Sequence, residues 1–204
     1  HKRPIAALVK ERLDAHRLIE EFMMLANREV AEFIGKRGKG AHRALPFLYR
    51  VHDVPDPEKI ADLAVFLRAI GHELDVRESG SVSAKDLNAL FLRLEGHAAE
   101  GLVKRAALRA MAKAIYTTAN IGHYGLAFGY YTHFTSPIRR YPDVLVHRLL
   151  ARHLTKTPVA EGELDSLRAQ ALHSSVREKA AMDAERASIK YKQVEFLAGR
   201  IGEE

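Results

Sequence analysis

The residues best suited to chemistry lie in one run of 13, from Tyr131 to Asp143. Within this run, the adjacent arginines Arg139 and Arg140 come just before Pro142, and proline suits the first turn of a helix. A guanidinium group binds phosphate oxygens through paired hydrogen bonds and keeps its charge at any working pH. A helix N-terminus adds unpaired N–H groups that also favour an anion. The run therefore indicates phosphate binding, although the arginines could instead pair with acidic residues of a neighbouring domain.

The same run and the residue before it, Tyr130, carry hydroxyl and ring-bearing side chains. Ser136 supplies a further hydrogen-bond donor close to the two arginines. The rings of Tyr130, Tyr131 and Phe134 could stack on RNA bases, but the burial preferences of these residue types favour a place in the core. We expect His133 to be the ring of this stretch that faces a binding channel.

Composition narrows the classes of protein. The chain has 204 residues, 47% of them hydrophobic, which is enough for a buried core and too many for a disordered tail. It has no Cys, which excludes a disulfide scaffold, thiolate zinc sites and cysteine nucleophiles, and fits a reducing compartment such as the cytoplasm. No apolar run approaches the roughly 20 residues that cross a bilayer, so we predict no membrane contact.

The net charge of +6 is unevenly distributed. Residues 51–100 carry 5 basic and 10 acidic side chains, whereas residues 101–150 carry 7 basic side chains and a single acid, Asp143. A stretch with almost no carboxylates keeps a positive local potential, which suits a phosphate-bearing partner. The alternative is a solvated basic face that serves solubility.

Hydrophobic periodicity and turn residues predict the elements that position these side chains. Helices are expected over residues 15–34, 58–71, 84–95, 100–117, 142–154 and 162–198, and strands over 45–52 and 123–134. Gly35 is expected to end the first helix and open a basic loop over residues 35–40. We expect Asp143 to cap its helix and His147 to pack or bond locally, since the histidines do not complete a zinc ligand set.

The run His133–Arg148, in full HFTSPIRRYPDVLVHR, resembles the signature of the ribonuclease II and ribonuclease R family, whose catalytic unit is the RNB domain. Order and spacing match from about residue 8 to 195. Further segments that resemble the family are Ala15–Asn27, Phe47–Asp53, Arg109–Tyr116 and Gly122–Ala127.

This resemblance implies an α+β, mainly helical fold. Residues 1–195 would form the C-terminal part of the RNB catalytic domain, with short strands that complete a sheet begun upstream. Residues 196–204 would lead into an S1 domain that this sequence does not contain. The implied activity is magnesium-dependent, processive hydrolysis of single-stranded RNA from the 3′ end, which releases nucleoside 5′-monophosphates.

The resemblance also assigns roles to residues. Arg139 matches the catalytic arginine of the family and would clamp the scissile phosphate. Arg140 would be a supporting phosphate contact, with Ser136 and His133 as further RNA-binding residues. Glu21 matches a carboxylate near the terminal nucleotides, where it could accept hydrogen bonds from ribose hydroxyls; the alternative is an exposed helix acid. Glu185 resembles a position near the site.

The metal-binding residues of the family are also missing from this sequence. The aspartate cluster that holds magnesium in the family has no counterpart here, so we expect the ligands upstream and no metal site within the chain. The chain alone should then be inactive, with the upstream half of the same domain and single-stranded RNA as its partners. Two alternatives remain: a non-catalytic RNA-binding or scaffolding module, and a helical protein whose basic face meets an acidic protein. RNA binding with a steep salt dependence would disfavour the second.

Overall fold

The computed structural model describes residues 4–6, 8, 11–37, 46–157, 160, 162–198 and 200. The helices in these residues are α1 (Asp14–Arg37), α2 (Pro57–Ala69), α3 (Ala84–Arg93), α4 (Glu100–Ala110), α5 (Tyr141–Leu154) and α6 (Glu163–Leu197). The strands are β1 (Tyr49–Val51) and β2 (Ile115–Thr117), and a single 3₁₀ turn covers Tyr124–Leu126. The prediction of a mainly helical α+β fold is confirmed.

The two strands pair antiparallel with Arg50 opposite Tyr116. On the side of β1 away from β2, the Arg50 N–H donates to the carbonyl of Tyr131 at 2.9 Å. On the other side, the Tyr116 N–H donates to Ser175 Oγ of α6 at 2.9 Å. The small sheet thus ties the arginine-bearing run to the long helix α6.

A central core surrounds this sheet and is built by α1, α5, the first part of α6 and both strands. Its least exposed side chains are Ala31, Ile34, Phe47, Leu48, Val51 and Val146. Tyr131 is buried, and Tyr130 and Phe134 pack against the core while half-buried, which confirms their predicted core role.

A second core lies among α2, α3 and α4. Its least exposed side chains are Ile60, Leu67, Leu87, Leu90, Leu94, Val103 and Ala107. The helix starts follow local sequence signals. Asp56 accepts the Glu58 N–H ahead of α2, and Ser83 forms a capping box with Asp86 at the start of α3.

Two predicted elements were wrong. The helix expected over 100–117 ends at Ala110, and Tyr116 lies in a strand because β1 and Ser175 satisfy its backbone. The strand expected over 123–134 is replaced by the 3₁₀ turn and by single bridges of His123 to His52 and to Phe128.

The end of the first helix was also misplaced. α1 continues through Gly35 to Arg37, and residues 38–40 of the expected basic loop lie outside the described residues. A Cβ on Gly35 would overlap the ring of Tyr130. This glycine therefore marks a close approach between helix and ring rather than a helix stop.

None of the helices that the structure describes is both long and apolar enough to cross a bilayer.

Candidate functional site

The arginine pair sits on a tight turn that is tied to the start of α5. The carbonyl of Ser136 accepts the N–H groups of Arg139 at 3.2 Å and of Arg140 at 3.0 Å. The Ser136 N–H in turn donates to Asp143 Oδ1 at 2.7 Å. Backbone hydrogen bonds therefore fix the direction in which the two arginines leave the chain.

Asp143 is fully buried in the first turn of α5. Besides the Ser136 N–H, its Oδ1 accepts a hydrogen bond from Arg140 Nη2 at 2.8 Å. The expectation that Asp143 caps α5 is wrong, because its carboxylate bonds the preceding turn and the N-cap is Arg140. The charge of Arg140 is thereby balanced within the chain.

His147 packs and bonds locally, as predicted. Its Nε2 lies 2.9 Å from the carbonyl oxygen of Phe134. The two rings stack with centroids 4.0 Å apart and planes 10° apart. This contact fastens the entrance of the turn to α5.

Arg139 differs from its neighbour Arg140. Its side chain is exposed and has no ion pair with any residue that the structure describes. It lines a cleft of about 570 Å³ between the turn and α6. The cleft walls also include Tyr116, Tyr141, Arg177 and Glu185.

A hydrogen-bonded group holds the two cleft walls in place. Glu178 of α6 accepts hydrogen bonds from Arg50 Nη1 at 2.7 Å and Nη2 at 3.1 Å. The Arg50 guanidinium lies 4.6 Å from the ring centroid of Tyr116, and the Tyr116 hydroxyl lies 2.7 Å from His133 Nδ1. The ion pair therefore links α6 to β1, and the rings link β2 to the arginine-bearing run.

Two members of this group, Tyr116 and His133, have shifted pKa values. Burial raises the pKa of Tyr116 to about 12, so its phenol stays protonated at neutral pH. Burial first, and then the positive charge of Arg140, lower the pKa of His133 to about 3. His133 is therefore neutral and holds the tyrosine by a hydrogen bond.

The predicted site residues fall into four places. Arg139, Arg140 and Glu185 line the same cleft. Ser136 is buried beneath the turn, and His133 is half-buried behind Tyr116 rather than on the cleft wall.

Glu21 lies in a different groove. This groove has a volume of about 270 Å³ and is formed by α1 side chains, including Arg28, together with Phe128. Glu21 is exposed there. The structure does not bring Glu21 into the cleft with Arg139.

Tyr116 and Arg177 are among the wall residues that sequence reasoning missed. Tyr116 was placed inside a helix, so its position on a strand under the cleft was not expected. Arg177 does carry a signal, because it lies eight positions before Glu185, which is two steps of four along one helix face.

The described residues do not fit a magnesium site. Among them, no three His, Asp or Glu side chains are grouped so as to hold a metal ion. Glu178 is bonded to Arg50, and Asp143 is buried against Arg140, which leaves Glu185 as a lone carboxylate in the cleft. Magnesium requires octahedral oxygen coordination, and one carboxylate by itself does not supply it.

In this α+β fold, the arginine-bearing turn and α6 form the two sides of one cleft, with Arg139 on its wall. Residues 1–156 match the family model described as the RNB domain. The chain belongs to the RNB domain family, which confirms the resemblance in the sequence.

Similarity to known proteins extends over nearly the whole chain. Ribonuclease R of Aquifex aeolicus is 42% identical over 202 residues, which cover 98% of this chain and 28% of that protein. Mycoplasma genitalium RNase R, solved in complex with ribose methylated single-stranded RNA, matches with a TM-score of 0.82 and 27% identity over 96% of this chain and 30% of that chain. Yeast Ssd1, described as a pseudonuclease, matches with a TM-score of 0.69 and 26% identity over 80% of this chain and 20% of that chain. The chain spans less than a third of the length of each.

Proposed function

We propose that this chain is the RNA- and phosphate-binding part of an exoribonuclease catalytic domain. The intact domain would bind single-stranded RNA and remove nucleotides processively from the 3′ end as nucleoside 5′-monophosphates. Magnesium would be held by aspartates outside these 204 residues, in the half of the domain that precedes them in the family. Membership of the RNB domain family and similarity to Ribonuclease R support an RNA-degrading activity.

The observation that carries the proposal is the difference between Arg139 and Arg140. Arg140 is neutralised by Asp143, whereas Arg139 is exposed at a cleft with no acidic partner among the described residues. A positioned guanidinium stabilises the charge that develops on a reacting phosphoryl group. Arg139 would contact the phosphate at the bond to be cut, and Arg140 would support the site from the turn.

The remaining predicted residues would act around this contact. Ser136 would shape the turn through its backbone, and His133 would hold Tyr116 on the cleft wall. Glu21, on a separate groove, would accept hydrogen bonds from ribose hydroxyls of the same strand.

The proposal is tested with purified chain, magnesium and labelled single-stranded RNA. We expect binding without robust hydrolysis, and release of nucleoside 5′-monophosphates once the aspartate-bearing half is added. In that reconstituted enzyme, Arg139→Ala should lower turnover by about 100-fold or more, the loss typical of one transition-state donor, with a smaller loss of RNA affinity. Robust hydrolysis by the chain alone would contradict the proposal that the metal-binding aspartates lie outside it. Equal losses of turnover and RNA affinity would make Arg139 a binding residue.

The second candidate is a non-catalytic RNA-binding module. It is favoured by the lack of a metal-ligand group among the described residues and by similarity to a protein described as a pseudonuclease. If the intact protein binds RNA but does not hydrolyse it with magnesium, the module is correct and the enzyme is not.

A further inference from the structure

One face of α6 forms the wall of the cleft opposite Arg139. Residues spaced by three and four on a helix share a face. The α6 residues that line the cleft are spaced in this way and comprise His173, Ser174, Arg177, Glu178, Ala181, Met182 and Glu185. Ser174 is the last buried residue of α6 among those described. Beyond it Glu178 is half-buried, whereas Arg177, Ala181, Met182 and Glu185 are exposed.

The acidic groups closest to this wall already have partners. Glu178 is bonded through both oxygens to Arg50, and the two side chains are only 31% and 13% exposed. Asp143 is buried against Arg140. The charged lining side chains that have no ion pair within the described part of the chain are Arg139, Arg177 and Glu185. The cleft thus has two free cations and one free carboxylate.

Arg177 has no acidic neighbour at the spacings that allow an ion pair on its own helix. The positions three and four residues away are His173, Ser174, Ala180 and Ala181. By contrast, the α6 ion pairs Arg168–Asp165, Arg186–Asp183 and Lys192–Glu195 each join residues three apart. Glu185 lies eight residues further on, about 12 Å along the helix axis. The charge of Arg177 is therefore available to a ligand in the cleft.

We infer that Arg177 is a second phosphate-binding residue of this site. The RNA strand then lies between two guanidinium groups, with one phosphate at Arg139 on the turn and a neighbouring phosphate at Arg177 on α6. The Arg50–Glu178 ion pair keeps this face of α6 turned toward the cleft. A nucleic-acid strand carries one negative charge at each phosphate, so neighbouring phosphates can bind two separated cations at once. A single compact anion fits two separated cations less well. This inference rests on the proposed function and names a further residue of the same site.

The test compares variants of the 204-residue chain by fluorescence anisotropy with a labelled single-stranded oligoribonucleotide at several salt concentrations. Arg177→Ala should weaken binding about tenfold, as expected for one charge-assisted contact. It should also reduce the slope of log affinity against log salt by about 0.7, the value for one phosphate contact on a single strand. Arg177→Lys should recover most of the affinity because it keeps the charge. Arg168→Ala is the matched control, since it removes the same charge from an exposed, paired position of α6 outside the cleft.

The outcomes separate this inference from the proposed function. If Arg139→Ala weakens binding while Arg177→Ala changes neither affinity nor salt slope, the role of Arg177 is wrong and the proposed function stands. If neither variant weakens binding, the proposed function fails as well. An equal loss for Arg168→Ala would show a general charge effect and overturn the inference.

Discussion

Replacing Asp143 by alanine tests whether its carboxylate holds the turn that carries the two arginines. The carboxylate is fully buried and accepts hydrogen bonds from the Ser136 N–H and from Arg140. Asp143→Ala removes both bonds and leaves the Arg140 guanidinium, 21% exposed, without its counter-ion. Loss of one partner of a buried ion pair costs about 3–5 kcal/mol, and the partial exposure of Arg140 places this pair at the lower end, about 3 kcal/mol.

The assay is thermal and urea unfolding of the chain. For a chain of this size, about 3 kcal/mol corresponds to a lowering of Tm by roughly 6–12 °C. Asp165→Ala is the control, because it removes the exposed partner of Arg168 and should change stability by less than about 1 kcal/mol. If Asp143→Ala unfolds within 1 °C of the control, the carboxylate does not hold the turn and our account of the site is wrong.

Two further predictions concern packing and pH. Gly35→Ala should destabilise the chain by about 1–3 kcal/mol in urea unfolding, because the new Cβ overlaps the ring of Tyr130. Gly101→Ala is the control and should be neutral or stabilise the chain by about 0.5 kcal/mol, because the nearest atom is the flexible end of an arginine at 3.4 Å. Equal effects of the two substitutions on the free energy of unfolding would refute the close approach of Gly35 to Tyr130. The pKa of His133 is lowered to about 3, so the unfolded chain binds its proton first and the free energy of unfolding should fall as pH drops below about 6.5. His133→Gln should make this fall shallower between pH 7 and 5 and leave a residual slope from His123, whose pKa is lowered to about 4; parallel curves for chain and variant would contradict this.

Local signals in the sequence were sufficient for most helices. The Asp56–Pro57 start of α2 and the Ser83–Asp86 capping box of α3 act within a few residues, so they are readable without the fold. The strand at Tyr116 is not readable in this way. Its conformation is set by β1, more than 60 residues earlier, and by Ser175, 59 residues later. Strand pairing in the folded chain therefore outweighs the local preference of this segment for a helix.

The candidate site was likewise predictable from the sequence only in part. The arginine pair and its place before a helix were evident from the sequence, and the structure puts both side chains at one cleft. Which arginine is free was not evident, since Arg139 and Arg140 lie four and three residues before Asp143 and both spacings allow an ion pair on a helix. The turn at Ser136 decides the outcome, because it directs Arg140 toward the buried carboxylate.

The different surroundings of the two arginines support the phosphate contact that we propose for Arg139. A phosphate contact is more effective when the cation is held in place before the ligand arrives, because less conformational entropy is lost on binding. The ion pair of Arg140 with Asp143 and the two N–H bonds to the Ser136 carbonyl order the backbone that carries Arg139. The ion pair of Arg140 therefore fixes the turn, and the ordered turn holds the charged Arg139 side chain at the cleft.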